Sequence, residues 1–243
     1  MRSELNPEVE RKLRWTGLKE RLLDLLFPPR CVGCGRLGNF LCSYCRRSLP
    51  YMLSPHCPGC GRTVTEGGLC VRCRERVPVL DGRRSPFRFE GVIRSAVISF
   101  KYRGLRALAP SLAQLLQVYL SGSLLPVDIL VPVPLHKRRL RERGYNQAAL
   151  LARELGKLSS LPVGEQALLR QRQALPQART ATIAERYRNV SGAFLCSGDG
   201  VRGKKVLLID DVSTSGATLE ACAVALKSAG AVSVWGLVLA QEM

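Results

Sequence analysis

Val206-Leu-Leu-Ile-Asp210-Asp211-Val-Ser213-Thr214-Ser215-Gly216-Ala217-Thr218-Leu219 is the stretch that decides the fold. Four apolar residues in a row read as a buried strand. Two carboxylates sit at the strand's C-terminal end. A short turn rich in hydroxyls and glycine follows, and a helical pattern starts at once through Leu219, Cys222 and Leu226. Backbone N–H groups of such a turn, with the N-terminus of the helix behind them, attract a phosphate. The carboxylates can accept hydrogen bonds from ribose hydroxyls. Ser and Thr here could serve only to cap the helix. Two adjacent acids joined to a six-residue turn of this composition favour a sugar phosphate instead.

The segment resembles the motif with which type I phosphoribosyltransferases hold 5-phosphoribosyl-1-pyrophosphate (PRPP). The resemblance implies that Asp210 and Asp211 form the catalytic pair and face the ribose hydroxyls. It also implies that Ser213, Thr214, Ser215, Gly216, Ala217 and Thr218 hold the 5′-phosphate.

A second strand is expected over Asp128–Val131, where Pro132 and Pro134 end the ladder and stiffen a turn. Basic residues crowd in behind it: Lys137, Arg138, Arg139, Arg141 and Arg143. Gly144-Tyr145-Asn146-Gln147 then opens a helix over 147–158. Ligands of open α/β sheets sit beyond the C-terminal strand ends. The two turns would therefore share one crevice, and Pro132, Pro134, Lys137, Arg138 and Arg139 would face a pyrophosphate. Upstream, Phe87 and Phe89 alternate as in a strand, and Val92–Tyr102 has helical spacing. Lys101 and Arg103 at its end either complement the helix dipole or line the rim of the crevice. Further strands are expected over Lys205–Ile209 and Ser233–Leu239.

Eight of the ten cysteines form four C-x-x-C pairs: Cys31/Cys34, Cys42/Cys45, Cys57/Cys60 and Cys70/Cys73. Two thiolates on one tight knuckle reach the same metal, and two knuckles complete a tetrahedral zinc site. Gly35 and Gly61 follow two of the knuckles, where a tight turn suits glycine. Four pairs imply about two zinc ions with no open coordination position, hence a structural role. Sequential pairing is the simplest assignment, and spacing alone leaves a crossed one open. A disulfide framework would need an oxidising compartment, to which nothing here points. His56 is surplus to eight cysteines, and Cys196 and Cys222 read as buried thiols.

The chain of 243 residues carries a net charge of +18, with 37 basic and 19 acidic side chains. Residues 1–110 hold 21 of the basic and 9 of the acidic groups, so their net charge is +12. Such a balance attracts polyanions, either nucleic acid or phosphorylated metabolites. No apolar run approaches the ~20 residues of a membrane helix. Residues 1–30 lack a signal-peptide core, which makes the expected location cytoplasmic. Trp15, Leu18, Leu22 and Leu25 suit a short amphipathic N-terminal helix. With two histidines in the chain, histidine base catalysis has little support.

One family joins these pieces. Pro132-Val-Pro-Leu-His136-Lys-Arg-Arg-Leu-Arg-x-Arg143-Gly-Tyr-Asn-Gln147 closely resembles the ComF proteins. So do Leu25-Leu-Phe-Pro-Pro-Arg-Cys31 and the segment running from Gln177 through Glu185-Arg186, Asn189-Val190 and Gly192-Ala193-Phe194. Ala174 stands where the family often has threonine. The resemblance implies a type I phosphoribosyltransferase-like α/β fold, mostly a parallel sheet with helices on both faces, preceded by a small zinc-ribbon domain. The expected division is an N-terminal helix over 1–27, a double zinc ribbon over 28–77 and the transferase-like domain over 78–243. Two functions follow as expectations. One is transfer of a phosphoribosyl group from PRPP, with magnesium, to an unknown acceptor. The other is a non-catalytic role in DNA uptake, with single-stranded DNA or a competence helicase as partner. The polar stretch 171–188, with Arg179, Arg186 and Arg188, suits a lid over the crevice.

Overall fold

The computed structural model describes residues 28–75, 78–171 and 192–242. The helix expected over 1–27 and all of the expected lid beyond Gln171 lie outside them. In chain order the elements are α1 (Ser43–Arg47), α2 (Val71–Glu75), β1 (Gly82–Arg84), β2 (Phe87–Arg88), α3 (Gly91–Tyr102) and α4 (Ala109–Ser121). Then follow β3 (Ile129–Pro132), α5 (Lys137–Arg143), α6 (Gln147–Ser159), β4 (Leu168–Arg170) and β5 (Phe194–Cys196). The chain finishes with β6 (Lys205–Ser213), α7 (Ala217–Ser228) and β7 (Ser233–Gln241).

Five strands build one parallel sheet in the order β1–β7–β6–β3, with β2 continuing the β1 edge along β7. Pro86 stands between the two halves of that edge strand, where a missing N–H is tolerated. Val206, Leu207, Leu208 and Ile209 are wholly buried because both faces of the sheet are covered. On one face lie α3, α4 and α6, which bring Ile93, Phe100, Leu112, Leu116, Leu151 and Leu155 against Leu207, Ile209, Leu237 and Leu239. On the other, α7 lays Leu219, Cys222, Ala223 and Leu226 over Val206, Leu208, Val234 and Val238. The antiparallel pair β4–β5 adds Leu168 and Phe194 to that second layer.

The expected strands are present with shifted ends. Asp128 stays outside β3 and ties it to β6 instead: its carboxylate accepts from the Lys205 N–H at 2.8 Å, and its N–H donates to the Lys205 carbonyl at 2.8 Å. β6 runs to Ser213 and β7 to Gln241, paired as Val212 with Ala240 and Ser213 with Gln241. The two acids therefore lie inside the ladder.

The cysteine-rich segment is two copies of one small unit. Arg30 bridges to Leu37 as His56 bridges to Thr63. The Gly35 N–H donates to the Cys31 carbonyl at 2.8 Å, and the Gly61 N–H to the Cys57 carbonyl at 2.9 Å. Both glycines adopt positive φ, 75° and 70°, which tightens each knuckle as the spacing suggests. The first unit sits on the α3–α4 layer, with Leu41 and Cys45 against Val92 and Leu115, and with Arg46 donating to Gln114 at 3.0 Å. The second leans on the β1 edge, where the Arg83 N–H donates to the Gly59 carbonyl at 2.8 Å.

Candidate functional site

Pro132, the last residue of β3, pairs with Ile209, the residue before Asp210. The turn after β3 thus starts beside Asp210, before β6 ends at Ser213. In β6 the pleat sends neighbouring side chains to opposite faces. Asp211 meets Lys101 of α3, with Nζ to Oδ1 at 2.7 Å, and is buried there at 5 % exposure. Asp210 turns to the other side, where it accepts from the Asp211 N–H at 2.8 Å. Its electrostatic neighbours include Arg170 of β4 and Cys222 of α7. Burial, and then the Asp211 charge, push the Asp210 carboxyl up to about 7, against the pull of Lys101, the Asp211 N–H and Arg170. One carboxylate is matched by a cation, and its neighbour titrates well above an ordinary aspartate. Burial also drives the Cys222 thiol well up, and Asp210 adds to it.

Thr214 and Ser215 form the turn between β6 and α7. Gly216 caps α7 with φ +86°, a conformation that favours glycine. Ala217 and Thr218 are the first residues of α7, and the Ala217 N–H faces Ser215 Oγ at 3.4 Å. Of the expected phosphate residues, Ser213 thus ends β6, Thr214, Ser215 and Gly216 make the turn, and Ala217 and Thr218 open α7. The basic run after Pro134 is not a loop. It winds into α5, with His136 Nδ1 accepting from the Arg138 N–H at 3.2 Å and Gly144 closing the helix. Lys137, Arg138 and Arg139 are exposed on its first turn, and Arg138 is engaged with Glu142 at 2.8 Å. Arg139 reaches the field of Arg170: burial lowers the Arg170 pKa, and Arg139 adds to the effect. Asn146 links β3 to α6 by donating to the Val133 carbonyl at 3.0 Å and accepting from the Ala148 N–H at 3.1 Å.

Three site residues carry no clear local signal. Lys101 reads equally as a dipole partner, and only the α3 packing brings it to Asp211. Arg170 lies on a three-residue strand, its guanidinium over the Phe194 ring at 5.2 Å. Arg83 is 3 % exposed and donates from Nη1 to Ser213 Oγ at 2.7 Å. Nothing in the sequence separates it from its neighbour Arg84.

The eight cysteines gather as Cys31, Cys34, Cys42, Cys45 and as Cys57, Cys60, Cys70, Cys73. Within each group the sulfurs lie within 4.8 Å of one another. Pairing is sequential, not crossed. A tetrahedral site with zinc–sulfur bonds of ~2.3 Å needs sulfurs about 3.8 Å apart. Cys34–Cys42 and Cys60–Cys70 stand at 3.6 Å, and all these thiols are free of disulfides. Backbone N–H groups point at sulfur, from Cys42 to Cys31 at 3.4 Å and from Cys70 to Cys57 at 3.3 Å. Burial alone would raise the Cys31 and Cys57 thiols, yet these N–H groups and their neighbours bring both down to about 6. Burial and the adjacent thiols push Cys45 and Cys73 up. The donor set fits two structural zinc ions, with His56 outside both groups.

Comparison with known proteins agrees. Residues 22–76 match the double zinc ribbon domain family. Competence protein F of Haemophilus influenzae is 28% identical over 86% of this chain and 96% of its own length. Competence protein ComFC of Bacillus subtilis is 30% identical over 78% of this chain and 79% of its own. The DNA utilization protein YhgH of Salmonella typhimurium is 32% identical over 81% and 89%. Among solved structures, the glutamine PRPP amidotransferase of B. subtilis overlaps 55% of this chain and 26% of its own, with 20% identity and a TM-score of 0.38. No helix among the described residues is long and apolar enough to cross a membrane. The chain belongs to the ComF family, with a double zinc ribbon ahead of a parallel-sheet α/β domain.

Proposed function

We propose that the turn between β6 and α7 binds PRPP together with magnesium, and that the protein transfers the phosphoribosyl group to an acceptor with release of pyrophosphate. The observation that carries this reading is the pairing of Pro132 with Ile209, which puts Asp210 beside the turn that leads into the basic α5. The ribose hydroxyls lie against Asp210 and Asp211, and the ion pair with Lys101 holds Asp211 in place. Amides of Ser213–Thr218 and the α7 N-terminus take the 5′-phosphate. Lys137, Arg138 and Arg139 face the pyrophosphate and stabilise the charge it carries away. The C1–O bond lengthens and breaks, pyrophosphate leaves with the electron pair, and a nucleophile of the acceptor closes on C1. Asp210 and Asp211 are the carboxylates that would support a magnesium ion brought with PRPP, which would supply charge neutralisation. Turnover is tested by following pyrophosphate release from PRPP over a panel of bases and amines. Release that Asp210→Ala abolishes supports transfer, whereas PRPP binding without release from any acceptor reduces the reading to binding alone.

A second reading is carried by Tyr102, 73% exposed at the end of α3 with the Arg143 guanidinium 5.2 Å from its ring. An exposed aromatic beside arginines is a stacking platform for single-stranded nucleic acid. Relatives named for competence and DNA utilization fit that role, as would a helicase partner in DNA uptake. Binding of an unstructured oligonucleotide should fall steeply with salt and weaken in Tyr102→Ala. Affinity no better than that of a protein matched in size and charge rejects it.

A further inference from the structure

Arg83 touches both halves of the molecule at once. Its N–H donates to the Gly59 carbonyl at 2.8 Å and its Nε to the Cys60 carbonyl at 3.2 Å, both on the knuckle of the second cysteine cluster. At its far end Nη1 donates to Ser213 Oγ at 2.7 Å, where β6 passes into the candidate phosphate turn. Gln241, the β7 residue paired with Ser213, closes the bracket. With its amide oriented to suit its neighbours, it donates to the Cys60 carbonyl and accepts from Arg83 Nη2, each at 3.2 Å. A Cβ on Gly216 would stand 2.0 Å from Arg83 Nη1, so the guanidinium fills the space beneath the α7 cap. A Cβ on Gly61 would stand 2.5 Å from the Arg83 carbonyl, so the knuckle is seated as closely at the other end. A cavity of about 80 Å³ between the two parts is lined by Cys60, Cys73, Arg83, Ser215 and Gly216.

We infer that Arg83 is a positioning residue through which the metal-bound state of the Cys57, Cys60, Cys70, Cys73 cluster sets the shape of the Ser213–Thr218 turn. Zinc fixes the knuckle, and the knuckle carbonyls fix the guanidinium. The guanidinium in turn fixes Ser213 and the α7 cap. Among the described residues the first cluster meets α3 and α4 instead, and the α3 residue Lys101 reaches Asp211 rather than the Ser213–Thr218 turn. Loss of metal from the second cluster alone therefore loosens the turn, and loss from the first does not. The inference gives the zinc ribbon a part in ligand binding beyond folding its own segment. It rests on the phosphate-turn reading only for the ligand it would affect.

The test is amide hydrogen exchange of the zinc-loaded full chain across residues 213–219, without ligand. Arg83→Met, Ser213→Ala and Cys60→Ser should each speed exchange there, by about tenfold or more for Arg83→Met, as expected for loss of a buried charged hydrogen bond. Cys34→Ser, which breaks the first cluster, should leave those amides unchanged. Arg83→Met should still bind about two zinc ions, and Ser213→Ala keeps the test open should Arg83→Met fold poorly. Unchanged exchange in Ser213→Ala and Cys60→Ser, or an equal response to both clusters, overturns the inference. PRPP titration of the same variants is a separate arm. A wild type that binds no PRPP sinks the functional reading and leaves the exchange result standing.

Discussion

Asp210 shows best how a residue's setting shapes its chemistry. Its carboxyl is held up to about 7, chiefly by burial and then by Asp211. In the unfolded chain it ionises near ~3.9. Between those pH values the folded protein keeps a proton that the unfolded chain has lost. Its contribution to stability is full below pH ~4, falls as pH rises and stays lost above about 7. Asp210→Asn removes that penalty. At pH 8 it should melt higher than wild type, by ~1 kcal/mol or more and about 2–4 °C per kcal/mol, with the gain shrinking toward pH 5.5. Identical melting curves at both pH values would contradict this. The ionised carboxylate accepts from a ribose hydroxyl more strongly than the acid does, so PRPP affinity should rise from pH 6 to pH 8, by up to about tenfold. Titration at both values checks it, and Asp210→Asn should lack the Asp210 share of the slope. The acid pair itself is legible in the sequence because strand, acids and turn are contiguous. Its partners are not, because Lys101, Arg170 and Arg83 reach it only through tertiary packing.

At the scale of the element, legibility follows the same division. β6, β7, α3, α6 and α7 carry long apolar patterns and are readable, apart from strand ends extended by pairing. β2 shows through the alternation of Phe87 and Phe89, but β1, β4 and β5 span three residues each, and a window that short holds no period. α5 is invisible to an apolar pattern because it buries nothing. His136 and Gly144 define its ends, and its position depends on the turn before it. Asn146 then anchors the following helix by capping α6 and holding the Val133 carbonyl, both at the rim of the site. Asn146→Ala should cost about 1 kcal/mol from the cap alone. Chemical denaturation measures it, and a change within a few tenths of a kcal/mol of zero would rule out an anchoring role.

For the whole molecule, the two cysteine groups replace the hydrophobic core that so short a ribbon segment cannot build. Metal analysis should return about two zinc ions per chain. Chelation should unfold the ribbons, seen as faster exchange at residues 28–75, while the core strands β6 and β7 stay protected. Loss of protection in β6 and β7 at the same chelator concentration would mean that sheet and ribbons fold as one unit. The spacing of the C-x-x-C pairs made the metal sites readable, and the structure adds that the pairing is sequential. The seating of the second ribbon against β1 and the candidate phosphate turn had no sequence signal, because it depends on backbone carbonyls meeting one buried arginine. Whether these parts together form a PRPP site is decided most directly by calorimetric titration of the zinc-loaded chain with PRPP and magnesium, beside Asp210→Ala/Asp211→Ala. The expected result is saturable binding by the wild type that disappears in the double variant while zinc content stays unchanged. No heat from the wild type, or undiminished affinity in the variant, would contradict the assignment of this turn to PRPP.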